Sequence, residues 1–244
     1  MERRVFIAGA AGAIGRRLCR LLVGDGWVVV GTTRSRDKTS LLRDLGVEPV
    51  VVDVFDEAAL RAVVRQAAPD IVVHQLTDLP PALDPAKMAE ALPRNARLRE
   101  IGTRHLVAAA VAAGAKRLVA QSLGFVYAAG PMPYREDAPL LVDDPAYGET
   151  VRAVVNLERQ VLAAPLTGIV LRYGKLYGPG TGFDHPPAGA PLHVDDAADA
   201  ARRAMTRGEA GIYNIAEADG MVSSQKAADG LGWKPGFRLS EPDR

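Results

Sequence analysis

The sequence predicts an α/β fold, a doubly wound parallel sheet with a small C-terminal substrate-binding region, and three observations predict it. Short apolar runs alternate with helix-like segments from residue 5 onward. The runs are continuously apolar, as in strands buried on both faces of a parallel sheet, rather than alternating. The first run passes straight into a glycine-rich turn and an amphipathic helix. Right-handed crossovers between such strands wind helices onto both faces of the sheet.

Val5–Ala8 is the first strand, and Ile14, Leu18, Leu21 and Leu22 recur at the spacing of one helix face. Gly24 and Gly26 stop that helix before a second strand, Val28–Gly31. A short helix over Ser40–Leu45 leads to a third strand, Pro49–Val52. Asp56 suits the N-cap of a helix reaching Ala67, with Leu60, Val63 and Val64 apolar, and Asp70–His74 is the fourth strand. The pattern from Pro85 to Ala113 is helical until Gly114, with Pro93 expected to break or kink it. Arg117–Ser122 is the fifth strand, Tyr147–Leu162 a helix and Gly168–Arg172 the sixth strand. Asp195–Arg207 is helical, Gly211–Asn214 strand-like, and Ser224–Leu231 closes as a short helix.

Residues 128–146 and 178–191 are rich in proline and glycine and read as loops, where ligands bind in such sheets. No linker divides the chain. Residues 1–244 are expected to form a single domain, its substrate region built mainly from 123–146 and 174–244.

Composition narrows the function. Hydrophobic residues make up 48% and charged residues 24% of the 244, ordinary for a globular protein. Thirty basic residues against 29 acidic ones leave a net charge of +1, which gives no electrostatic reason for nucleic acid or an anionic membrane as partner. No apolar run approaches the ~20 residues of a membrane span. The single cysteine, Cys19, lies in a helical segment and reads as a small core residue, and a cytoplasmic setting is expected. The four histidines and one cysteine show no metal-ligand spacing. Asp195 and Asp196 read as cap and dipole partners at a helix start.

The turn Gly9-Ala-Ala11-Gly12-Ala13-Ile14-Gly15 lies between a strand and a helix, the setting in which such glycines bind a dinucleotide. Gly9 permits the tight turn, Gly12 lets backbone approach a pyrophosphate, and Gly15 allows close helix packing. The helix N-terminus adds free N–H groups and the positive dipole end. An NAD site places an acid after the second strand for the ribose 2′-hydroxyl. Here Arg34 and Ser35 stand there instead, with Arg16 nearby, so NADP(H) is the expected cofactor and NAD(H) the alternative.

With these motifs the chain resembles the extended branch of the short-chain dehydrogenase/reductase superfamily, whose members are NAD-dependent epimerases, dehydratases and related reductases on a Rossmann fold. Asp53-Val54 resembles the family's adenine contact, and His74-Gln75-Leu76-Thr77 the segment lining the cofactor ribose. Leu171 to Gly180, with Tyr173 and Lys175, is similar to its nicotinamide and substrate segment; Gln121 is another implied cofactor contact. Leu192-His193-Val194-Asp195-Asp196 and Gly230-Leu231-Gly232-Trp233-Lys234-Pro235 match two later landmarks. Related proteins often dimerise through helices equivalent to 95–113 and 147–162, which implies a homodimer.

The family's chemistry rests on a Tyr-x-x-x-Lys pair and a Ser or Thr after the fifth strand. Residues i and i+4 share a helix face, so the lysine can lower the tyrosine pKa and hold the ribose. Tyr147 takes the tyrosine position and also counts as a cofactor contact, but Val151 takes the lysine position. Aligning Phe125-Val126-Tyr127 with the family's Val-Tyr-Gly puts Leu123 at the hydroxyl position and Ser122 one residue early. The candidate catalytic residues are therefore Tyr147, Ser122 and Lys175, the last as a replacement cation or substrate contact. His74 and His193 read as structural, and His185 is a weak candidate on a substrate loop. The expected activity is an NADP(H)-dependent oxidoreductase acting on a small carbonyl or alcohol. An epimerase or dehydratase recycling its cofactor and a non-catalytic NADP(H) sensor are the alternatives.

Overall fold

A computed structural model describes residues 2–240. Its centre is a seven-stranded sheet of β1 (Arg4–Ala8), β2 (Val28–Thr33), β3 (Glu48–Val51), β4 (Ile71–His74), β5 (Arg117–Leu123), β6 (Thr167–Tyr173) and β9 (Gly211–Ile215). The spatial order is β3-β2-β1-β4-β5-β6-β9, and every pairing is parallel. The expected α/β, Rossmann-type fold is therefore present. From β1 the chain winds outward to β3 and then crosses back to β4. The strand order reverses between β1 and β4, where a crevice opens at the C-terminal strand ends.

Helices α1 (Ala13–Gly24), α2 (Thr39–Asp44), α3 (Glu57–Ala67), α4 (Pro85–Arg97), α5 (Thr103–Ala112), α6 (Gly148–Leu162), α7 (Val194–Ala204) and α8 (Gln225–Leu231) cover the sheet. Alternation along each strand divides the core in two. Val5, Ile7, Val119, Ile169 and Leu171 face α1, α7 and α8. Phe6, Ala8, Val72, Leu118, Ala120 and Val170 face α3, α5 and α6. Asp56 caps α3 as expected, accepting from the Ala59 N–H at 3.0 Å.

Pro93 does not break its helix. α4 runs through it to Arg97, held by the buried Ala91, Asn95 and Ala96. The irregularity comes later, as a π turn over Leu98–Gly102 before α5. Two strands in the late loops, β7 (Lys175–Tyr177) and β8 (Pro191–His193), pair in parallel as a small second sheet. They join the ends of the loop 178–191 beside α7.

Asp195 and Asp196, expected as cap and dipole partners, lie in the first turn of α7 but are not its cap. His193 is the cap, its Nδ1 accepting from the Asp195 N–H at 3.2 Å. Asp195 instead takes Arg17 of α1 at 2.6 Å. Asp196, fully buried, accepts from the Gly236 and Phe237 N–H groups and from Arg238. The buried Trp233 donates to the Asp196 carbonyl at 3.0 Å, so the closing Leu-Gly-Trp motif locks the C-terminal segment onto α7. Cys19 is buried, and burial pushes its thiol up to about 12, as befits a core residue. No helix among the described residues is long and apolar enough to cross a membrane.

Candidate functional site

The crevice at the reversal of strand order is a cleft of about 520 Å³. Gly9, Ala11, Gly12, Arg34, Ser35, Val54, Leu76 and Thr77 line it, all anticipated from sequence. Gln75, in the segment whose resemblance implied a ribose contact, lines it too; Lys38 and Leu98 also line it and were not anticipated. The signal for Lys38 lay in the spacing Arg34, Arg36, Lys38 after β2. Only the 3-10 turn over Arg36–Lys38 shows that the chain folds back toward the cleft.

The residues present fit a dinucleotide. Gly9 has φ +91°, and a Cβ there would lie 2.5 Å from the Gln75 carbonyl oxygen, so a side chain is excluded on both counts. A Cβ on Gly15 would meet the Gly9 carbonyl, so this glycine sets the close approach of α1 to the turn. The α1 N-terminus has no side-chain cap and no acid in its first turn. The N–H groups of Ala13, Ile14 and Gly15 are thus left for an anion. Two buried polar atoms flank the turn without partners among the described residues, the Arg16 Nε and the Gln75 Oε1. The Arg16 guanidinium also lies against Gly180 of the loop after β7. Burying such atoms unpaired is costly, and a bound polar ligand relieves the cost.

At the mouth, the Arg34 Nη2 donates to the Asp78 Oδ1 at 2.9 Å, and the Arg94 Nε stands 3.4 Å from the Oδ2. Burial alone raises the Asp78 carboxyl pKa, but the hydrogen bond and charge of Arg34, then Arg94, outweigh it and hold it below the usual range. Arg34 thus reaches from the end of β2 to the segment after β4, while Lys38 and Ser35 stay in the lining. Asp53 is exposed, its Oδ1 accepting from the Phe55 N–H at 2.9 Å.

The three catalytic candidates are not brought together by any hydrogen bond. Tyr147 is the N-cap residue of α6, 59% exposed, its N–H donating to the Asp144 Oδ1 at 2.8 Å. Val151 lies one turn on, fully buried. The Ser122 hydroxyl points to the α6 face and donates to the Glu158 Oε1 at 2.7 Å. Glu158 is also gripped by Arg172 at 2.8 and 2.7 Å. Leu123, at the hydroxyl position, offers no polar atom. The Lys175 Nζ donates to the Ala188 carbonyl at 2.8 Å, across the loop 178–191.

Two implied cofactor contacts are occupied elsewhere. The buried Tyr173 sits among core residues, its hydroxyl paired with the Gln75 Nε2 at 3.3 Å and the Ala197 carbonyl at 3.2 Å. Gln121 donates to the Leu76 carbonyl at 3.0 Å and so fixes the backbone of the cleft wall. His74 is structural, as expected: it bonds the Thr103 hydroxyl at 2.9 Å and its Nδ1 accepts from the Leu76 N–H. Burial and then the Arg99 charge lower its pKa to about 4, so the ring is neutral. Among the described residues no group of side chains could hold a metal ion.

Comparison with known proteins agrees with this geometry. The model of the NAD dependent epimerase/dehydratase family matches residues 5–190. A Streptomyces protein named 3-diazoavenalumate denitrifying reductase is 42% identical, the match covering 91% of this chain and 78% of that one. The methionine adenosyltransferase 2 subunit beta of Xenopus laevis is 27% identical, over 72% of this chain and 48% of its own length. Among solved structures, the UDP-glucose 4-epimerase of Thermotoga maritima has a TM-score of 0.77 at 20% identity, covering 95% of this chain and 93% of that one. The Bordetella bronchiseptica enzyme WbmG, solved with NAD, has a TM-score of 0.76 at 17% identity, covering 98% and 91%. The structural likenesses establish a shared fold. The chain belongs to the NAD dependent epimerase/dehydratase family and is an NAD(P)-dependent oxidoreductase or epimerase.

Proposed function

We propose that this chain is an NADP(H)-dependent reductase that replaces a leaving group on a small aromatic acid by hydride, with a diazonium group as the leaving group. One observation carries the reading. The cleft carries the glycine turn and basic corner that would hold a dinucleotide, whereas Val151 and Leu123 occupy two of the positions on which the family's proton transfer relies and Ser122 is committed to Glu158.

Reducing a carbonyl requires a proton at oxygen, and the family's tyrosine, lysine and hydroxyl deliver it. Displacing a diazonium group requires none. When bound, the reduced nicotinamide supplies a hydride. The aryl carbon gains a C–H bond, the C–N bond breaks with its electron pair, and dinitrogen departs while the cofactor is left oxidised. Charge and atoms balance with no acid or base. The 42% identical relative bears a name that describes loss of a diazo group by reduction, which supports this class of substrate.

The chain's own residues bind and orient. Arg34, Ser35 and Lys38 form the basic corner for a 2′-phosphate, and the α1 N-terminus with Arg16 takes the pyrophosphate. Met132, Tyr147 and Phe183 are exposed apolar side chains on or beside the two late loops, fitting an aromatic ring. Lys175, whose only side-chain partner among the described residues is the Ala188 carbonyl, is the candidate for a substrate carboxylate.

The test is to incubate the protein with NADPH and either carboxylated arenediazonium ions or matched aldehydes and ketones. The reading expects NADPH loss with one dinitrogen per cofactor, well above the rate without protein, and little loss with carbonyls. Turnover confined to carbonyls would refute it, as would isomerisation without cofactor loss.

A further inference from the structure

Two arginines are buried among the described residues, Arg99 and Arg172. Arg172 is matched by the carboxylate of Glu158. Arg99, 8% exposed, makes no ion pair and no side-chain hydrogen bond among the described residues. Its nitrogens are not among the fully enclosed unpaired atoms, so a largely buried guanidinium keeps a narrow opening through which a ligand can complete the pairing.

Its position narrows the ligand. Arg99 sits on the π turn Leu98–Gly102, the kind of irregularity that redirects side chains at functional sites. Its neighbour Leu98 lines the dinucleotide cleft. Its charge reaches His74 at the end of β4, directly before the lining residues Gln75, Leu76 and Thr77. The π turn also packs on α6, the helix that buries Val151 where a lysine is expected. Position 151 of α6 carries no cation, and an arginine without an ion pair among the described residues is present on the turn packed against that helix.

We propose that Arg99 is a cofactor-holding residue of this cleft, donating from the π turn to the ribose hydroxyls of the bound dinucleotide in place of a lysine at position 151. This rests on the proposed NADP(H) site and is independent of the substrate. A planar guanidinium with five donors can take both hydroxyls of a ribose.

The experiment measures the NADPH dissociation constant by fluorescence, alongside thermal melting, so that failure of the diazonium reading leaves it intact. Arg99→Met should weaken NADPH on the order of tenfold, the scale of a lost charge-assisted hydrogen bond, while raising or preserving the melting temperature. Adding Val151→Lys to that variant should recover most of the affinity. Adding Val151→Lys alone should weaken binding, because two buried cations then compete. Should Arg99→Met fail to fold, Arg99→Gln and Arg99→Lys carry the same comparison, with lysine the milder loss. NADPH affinity within twofold of the parent in a folded Arg99 variant overturns the proposal. So does a folded Arg99→Met/Val151→Lys pair with no recovery.

Discussion

The Ser122 hydroxyl donates to the Glu158 Oε1 at 2.7 Å, on the same carboxylate that Arg172 holds with two further N–H groups. Arg172 in turn donates to the Tyr127 hydroxyl and the Glu136 carbonyl, both at 3.0 Å. Tyr127 closes the chain of bonds on Asn214 of β9. This buried network ties β5, β6, β9 and α6 to the loop 128–146. Within it the Ser122 hydroxyl is committed to Glu158. Ser122→Ala is expected to lower stability by about 1–3 kcal/mol, the range for a lost bond to a charged group, and to leave turnover within a few-fold. Denaturant melts with parallel assays check it. A hundredfold loss of turnover at unchanged stability would contradict it.

Arg172→Met should be far worse for stability. Removing one side of a buried ion pair strands the other, at a cost of about 3–5 kcal/mol. The double substitution Arg172→Met with Glu158→Leu should recover much of that loss, as thermal melting will show. A double variant no more stable than the single one would mean that the pair acts through something other than charge burial.

The basic corner at Arg34 and Lys38 predicts cofactor choice. Arg34→Ala and Lys38→Ala are each expected to weaken NADPH by about tenfold, the cost of one charge-assisted contact, while NADH changes little. Titration of each variant with both cofactors tests the assignment. Equal losses for the two would show that these cations do not read the 2′-phosphate.

His74 predicts a pH dependence of stability. Its pKa in the fold is about 4, lowered from an ordinary 6.5 by burial and then by Arg99. Between those values the unfolded chain binds the extra proton, so stability falls as pH drops from 6.5 to 4. The loss is on the order of 3 kcal/mol. His74→Gln, which keeps a donor for Thr103, should flatten that fall, as melting between pH 4 and 7 will measure. Parallel curves would contradict the assignment.

Much of the fold was legible because apolar runs such as Val5–Ala8 and Leu118–Ala120 have no alternative to burial on both faces of a sheet. The glycine turn was legible for the same kind of reason: Gly9 has a backbone and a neighbour that tolerate no side chain. What depended on tertiary partners was not. Lys175–Tyr177 and Pro191–His193 become strands only through pairing with each other inside glycine- and proline-rich sequence. Tyr173, in a segment whose resemblance implied a cofactor contact, shares a strand face with Leu171 and packs into the core, which only the tertiary partners show. Arg99 carried no motif, and its isolation shows only once its surroundings do.

Tyr147→Phe tests whether the proposed reaction needs an acid. With an arenediazonium substrate, turnover is expected to stay within a few-fold of the parent, whereas general-acid roles are worth about 10²–10⁴-fold. A drop into that range would mean that Tyr147 moves a proton after all.

The most direct measurement follows the hydrogen itself. With NADPH deuterated at C4 in ordinary water, the account predicts deuterium on the aryl carbon that carried the diazonium group, and none there when unlabelled cofactor is used in heavy water. Label arriving from solvent, or product forming without cofactor label, would contradict hydride replacement as this chain's reaction.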